Sequence, residues 1–232
     1  MKRLFFLLPV LFLGIHCPLS AQLSDSLKCS ADSLTHAQTR LRFTFRQLYV
    51  PGAMIVLGSV AELDNGFKGG QLRFHDNHFA HFHTSIDNYL QYSPLVITYG
   101  LDALGLKPKN NITNQTAIML KGELLMYGIG GILKRSVSER RPDGSDNNAF
   151  PSGHTAAAFA AAALLSEEFG YRYKWMPYAA YTLASGVGAL RVANNKHYVG
   201  DVLVGAGIGI LSMKIAYWTH QYKWGKKKRP IF

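Results

Sequence analysis

Residues 151–168 read PSGHTAAAFAAAALLSEE, and this stretch decides the fold. Ser152 is suited to the position before a helix, where a side-chain oxygen can serve free backbone N–H groups. Gly153 lets a ligand approach the backbone closely. The alanine-rich run behind it predicts an apolar helix over His154–Glu167 with His154 in its first turn. A helix start with free N–H groups favours an anion.

Four further apolar segments flank this one: Tyr89–Leu106, Thr116–Leu133, Trp175–Val192 and Val202–Trp218. Several are near the lower length limit for crossing a bilayer. Lys121, Glu123 and Lys214 interrupt them near one end, where a long side chain reaches the interface. A fourteen-residue apolar run, Val50–Leu63, starts at Pro51-Gly52 and is short enough to predict a buried or re-entrant helix. The pattern predicts an all-α integral membrane bundle, with a soluble helical bundle as the alternative on hydropathy alone.

Charge sets the orientation. The chain has 232 residues, 48% of them hydrophobic and only 17% charged, with 25 Lys and Arg against 14 Asp and Glu. Its cations are not interleaved with aromatics along one surface, which argues against nucleic acid as a partner. They gather in the connections with Lys107, Lys109, Arg172 and Lys174, and in the tail from Lys223 to Arg229. The positive-inside rule places these in the cytoplasm. Residues 1–21 read as an export signal, with Lys2 and Arg3, an apolar stretch from Leu4 to Gly14, and a cleavage site at Leu19-Ser20-Ala21. Five crossings then put residues 22–88, 134–153 and 193–201 outside, provided Val50–Leu63 does not cross. The expected division is a signal at 1–21, an extracytoplasmic segment at 22–88, a core at 89–220 and a basic cytoplasmic tail at 221–232. Cys17 falls inside the signal, so mature protein keeps Cys29 alone and forms no internal disulfide.

Three groups of residues carry chemistry. Lys134 and Arg141 lie seven apart, near two helical turns, so one helix face could hold both. Pro142 then ends that helix. Taken alone, this pair would read as snorkelling interfacial cations. Ser152, Gly153 and His154 form the second group. The third is Arg191, His197 and Asp201. His197 and Asp201 are i,i+4, so the carboxylate can hold one imidazole nitrogen and leave the other as a nucleophile. Arg191 would face elsewhere on a continuous helix, but Asn194-Asn195 offers a break that brings it round. Together they supply three fixed cations, a helix-start anion site, two histidines and a carboxylate, an inventory for breaking a phosphate ester without a metal or other cofactor. His75, His78, His81 and His83 cluster in the loop ahead of the core, but no cysteine or settled spacing supports a metal site there.

Written as K-x6-R-P, P-S-G-H and R-x5-H-x3-D, these groups resemble the signature of the type 2 phosphatidic acid phosphatase superfamily, which includes vanadium haloperoxidases. The resemblance covers about residues 89 to 220. It implies that His197 forms a phosphohistidine, that Asp201 orients it, and that His154 protonates the leaving alkoxide and then activates water. It further implies that Lys134, Arg141, Arg191, Ser152 and the Gly153 N–H hold the phosphoryl oxygens. The family often has Ser before the third-motif arginine, whereas this chain has Leu190. Ile86-Asp87-Asn88-Tyr89-Leu90-Gln91-Tyr92 and Lys196-His197-Tyr198 resemble lipid A 4′-phosphatases. The implied partner is a phosphorylated lipid in the bacterial inner membrane, with the site facing the periplasm and no protein partner. Undecaprenyl diphosphate and phosphatidylglycerophosphate are the alternative substrates. Outside lipid phosphatases stand a vanadate-dependent haloperoxidase and a non-catalytic membrane protein.

Overall fold

A computed structural model describes residues 43–221; the expectations for the signal, for Cys17 and Cys29 and for nearly all of the tail lie outside them. Every regular element among the described residues is a helix: α1 (Arg46–Leu63), α2 (Asn65–His78), α3 (Ile86–Leu90), α4 (Ser93–Ala103), α5 (Ile112–Val137), α6 (Gly153–Phe169), α7 (Met176–Ala193) and α8 (Val199–Thr219). The alanine-rich α6 is the centre of the bundle and is buried nearly throughout. It packs against α4, α5, α7 and α8. Its small side chains allow close approach, and α8 answers with glycines. A Cβ added at Gly205 would meet the Ser152 carbonyl, and one at Gly209 the Ala156 carbonyl. Such small-residue seams bring helix backbones into contact. Larger side chains fill the space toward α7, where Phe159, Leu165, Phe169, Met176, Val187 and Ile210 belong to one buried cluster.

The opposite side of α8 carries α1. Gly58 abuts the Gly200 carbonyl, Gly207 abuts the Pro51 carbonyl, and Trp218 Nε1 donates to Gln47 Oε1 at 3.0 Å. So α1 follows α8 antiparallel for almost its whole length. This differs from the expected short helix at Val50–Leu63. The polar turn Arg46–Tyr49 extends it to 18 residues, and Pro51 sits inside the helix rather than at its start. The outer face of α1 is apolar and exposed at Val50, Val56, Leu57 and Val60.

Among the described residues, two helices, α5 and α8, are long and apolar enough to cross a membrane. The segment expected to run unbroken over Tyr89–Leu106 is instead divided between α3 and α4. Gln91 and Tyr92 join them in helical backbone, and Ser93-Pro94 opens α4. Exposed apolar side chains continue around the bundle at Val96 on α4, at Leu120, Leu124, Tyr127 and Ile132 on α5, and at Tyr178 on α7.

Helix directions give the bundle two distinct ends. One gathers the end of α1, α2, α3, the end of α5, the starts of α6 and α8 and the end of α7. The other gathers Arg46, Lys107, Lys109, Arg172 and Lys174, and is therefore basic. A buried carboxylate ties that far end together. Glu168 accepts from the Asn110 backbone and side-chain nitrogens, both at 2.8 Å, and from the Tyr217 hydroxyl.

Candidate active site

The first site residue comes from the last turn of α5. Lys134 Nζ donates to the carbonyls of Asn148 at 2.7 Å and Pro151 at 2.8 Å, fastening the loop that leads into α6. Arg141 is not on that helix, contrary to the two-turn reading of its spacing. The helix stops at Val137 because Ser138 adopts a left-handed conformation at φ 48°, with its N–H on the Lys134 carbonyl. Arg141 lies in the turn that follows, where its Nε donates to Asp146 Oδ1 at 2.8 Å. The loop, not helical periodicity, aims this cation.

Ser152 occupies the cap position of α6, but its hydroxyl makes no capping bond. It is fully buried and pairs with the Thr155 hydroxyl at 2.9 Å, while its N–H donates to the Asp201 carbonyl at 3.1 Å. Gly153 begins the helix with nothing within 4 Å of where a Cβ would stand, which leaves room in front of its backbone. One residue on, His154 Nε2 meets Asn88 Oδ1 at 2.9 Å.

The third group depends on the break between α7 and α8. Asn195, at φ 55°, turns the chain after Ala193, so Arg191 and His197 approach one another from different elements. Arg191 is 7% exposed; its Nη1 donates to Asp87 Oδ2 at 2.6 Å, while its Nε is buried without a hydrogen-bond partner among the described residues. His197 precedes α8 and is 1% exposed. Its Nδ1 faces Asp201 Oδ2 at 3.4 Å, and the same oxygen accepts the Tyr198 N–H at 2.8 Å. Asp201 therefore serves the first turn of α8 and the imidazole together.

Burial holds the His197 imidazole well below its ordinary pKa, and the positive charges of Arg191, Arg141 and Lys134 push the same way. A hydrogen bond with the Ala149 backbone pulls the other way but is outweighed, so the buried imidazole beside three cations is held toward its neutral form. The surrounding loops are pinned by residues that are not among the motif positions. Gln71 on α2 donates to the His197 carbonyl at 3.2 Å and accepts the Val199 N–H at 2.9 Å. Lys196 pairs with Asp143 at 2.5 Å, and the Asn194 side chain bonds both the N–H and the carbonyl of Thr84. Asp87 and Asn88 lie in the upstream stretch that carried the lipid A resemblance, so that signal was present without a role attached. Gln71 carried none.

The clustered histidines take other parts. His75 Nε2 bonds the Ala193 carbonyl at 3.2 Å, and His78 stacks on Phe74 while bonding its carbonyl. Among the described residues, no group of three or more His, Cys, Asp or Glu side chains is arranged to hold a metal ion.

Residues 115–225 match the PAP2 superfamily. It is 41% identical over 138 residues to a lipid A 1-phosphatase of Porphyromonas gingivalis, an alignment covering 59% of this chain and 31% of that protein. The chain thus aligns with about a third of its curated relative's length. Among crystal structures it is similar to Aquifex aeolicus LpxE, with a TM-score of 0.47 and 23% identity, over 62% of this chain and 93% of the other. It is also similar to a transmembrane PAP2 type phosphatidylglycerolphosphate phosphatase from Bacillus subtilis, with a TM-score of 0.47 and 20% identity, over 72% and 94%.

Proposed function

We propose that this chain is a membrane phosphatase that removes a phosphate monoester from lipid A without a metal, through a phosphohistidine. The observation that carries the reading is the buried His197, 1% exposed with its Nδ1 facing Asp201 Oδ2 at 3.4 Å, set among the positive charges of Arg191, Arg141 and Lys134. A phosphate monoester carries about −1.5 to −2 charges near neutral pH, and three fixed cations oppose that charge. In the first step the His197 nitrogen that does not face Asp201 bonds to phosphorus as the ester P–O bond breaks. His154 gives its proton to the leaving alkoxide. The imidazole gains positive charge in this step, which the Asp201 carboxylate stabilises. In the second step His154 takes a proton from water, the water oxygen bonds to phosphorus, and the P–N bond breaks. The Gly153 N–H at the start of α6, the Ser152 region and the cations hold the phosphoryl oxygens throughout.

The membrane reading is supported by the apolar, exposed outer faces of α1, α4 and α5 and by the two helices of spanning length. The basic end suits the cytoplasmic surface, so the catalytic end faces the periplasm of the inner membrane. With α1 crossing beside α8, residues 43–45 belong to the basic face, and the described residues cross six times where the sequence pattern suggests five.

Within lipid A, similarity to the P. gingivalis protein favours the 1-phosphate, while the stretch from Ile86 to Tyr92 favours the 4′-phosphate. Mass spectrometry of lipid A from cells lacking the gene, complemented with wild type or with His197→Ala, tests the reading. Loss of one phosphate with wild type alone supports it, and fragmentation assigns the position. Unchanged lipid A beside hydrolysis of undecaprenyl diphosphate by the purified protein would move the substrate and keep the chemistry.

A further inference from the structure

We propose that Asn88 is a positioning residue for His154, holding its Nε2–H so that Nδ1 is the nitrogen that exchanges a proton with the leaving group. This rests on the phosphatase reading above and extends it to a residue outside all three motifs. The geometry is specific. Asn88 Oδ1 stands 2.9 Å from His154 Nε2, a bond between side chains 66 positions apart in sequence. An amide carbonyl accepts only, so the imidazole nitrogen facing it carries hydrogen and the ring's other nitrogen is left for chemistry. The neighbouring residue anchors the contact: Asp87 is 1% exposed, and its carboxylate takes Arg191 Nη1 at 2.6 Å and Asn194 Nδ2 at 3.4 Å. The five-residue α3 thereby touches a phosphate-binding cation with one side chain and the acid with the next.

During ester cleavage the Nδ1 proton passes to the leaving oxygen while the phosphorus–nitrogen bond to His197 forms. During hydrolysis Nδ1 recovers a proton from water. In the imidazolium both nitrogens bear hydrogen, and the Asn88 carbonyl supports the one not transferred. The charged and titratable groups around His154 are Arg191, Asp87, His197 and Arg141, so Asn88 is a neutral acceptor among charges.

The test compares full-length wild type, Asn88→Ala and Asn88→Asp on two esters, dodecyl phosphate and p-nitrophenyl phosphate. Asn88 is exposed, so neither substitution empties the core. The alkoxide needs a proton to leave and the nitrophenolate does not. Asn88→Ala is therefore expected to lose about 10- to 100-fold in kcat on dodecyl phosphate, part of the roughly 10²- to 10⁴-fold that general acid assistance supplies, and under about 3-fold on p-nitrophenyl phosphate. Asn88→Asp is expected to retain turnover and to move the alkaline limb of kcat to higher pH, because a carboxylate favours the imidazolium. Equal losses on both esters, or no change on either, would overturn the proposal. Nitrogen-15 NMR of His154 gives a reading independent of turnover. Wild type should show Nε2 protonated and Asn88→Ala a mixture of tautomers, whereas identical spectra would also overturn it. Turnover by wild type that His197→Ala abolishes tests the phosphatase reading separately.

Discussion

At the scale of single residues, the site depends on groups that act in two capacities at once. Asp201 accepts the Tyr198 N–H and faces His197 Nδ1. In Asp201→Asn the amide oxygen can still accept the backbone bond, but it no longer stabilises a positive imidazole. The expected outcome is a near-unchanged melting temperature with kcat down about 10²- to 10⁴-fold, by analogy with other His–Asp pairs. Gly153 gives the opposite signature. With open space before its Cα, Gly153→Ala should fold normally and raise KM, because the methyl group enters the proposed phosphate position. The depressed pKa of His197 sets a pH dependence. Its neutral form persists below the ordinary imidazole value of about 6.5, so an acid limb of kcat belonging to the nucleophile should lie below that pH. For Asp143, burial pushes upward, but the Lys196 ammonium and the Ser145 hydrogen bonds outweigh it and hold the carboxyl at about 2. A depressed carboxyl contributes stability above its unfolded value, about 3.9, and loses that contribution as pH falls toward its folded value. Melting of Asp143→Asn should accordingly differ from wild type at pH 6 and converge with it near pH 2.

At the scale of elements, the sequence revealed the helices that carry the candidate site more clearly than the frame that holds them. Residues 151–168 declared α6 because alanine has high helix propensity and the chain before it offers a helix start. The Asn194-Asn195 break was legible because asparagine tolerates the left-handed backbone that Asn195 adopts. Periodicity failed at Arg141, since a left-handed Ser138 ends α5 before Pro142 can. It failed again at α1, whose partner α8 lies some 150 positions away and whose apolar count understated its length. Gln71 was illegible for the same reason: a polar side chain on a polar helix gives no hint that it pairs with the backbone at His197 and Val199. The α6–α8 seam yields a test at this scale. Gly209→Ala would drive a methyl group into the Ala156 carbonyl, and about 1–3 kcal/mol of destabilisation is expected from such overpacking. Gly131→Ala on α5 meets open space and should melt at or slightly above wild type. Thermal melts of the two variants in one detergent make the comparison.

At the scale of the whole molecule, the catalytic and basic ends make orientation measurable. In a background with Cys17 and Cys29 replaced by serine, Ser145→Cys should react with an impermeant maleimide once the outer membrane is opened, and Arg172→Cys only after lysis. The reverse pattern would invert the proposed topology. Four cations at the end that carries the proposed site share a habit. Arg141 rests on Asp146, Arg191 on Asp87, Lys196 on Asp143, and Lys68 between Glu62 and Glu139. A membrane surface is crowded with phosphodiester headgroups, each of about one negative charge, and bare arginines would be occupied by them continually. Here a visiting anion must displace a tethered carboxylate. A terminal phosphate with nearly two charges does so more readily than a singly charged diester. Under the proposed phosphatase reading, the protein's own acids would act as a sieve that keeps abundant bystander lipids from fouling the site.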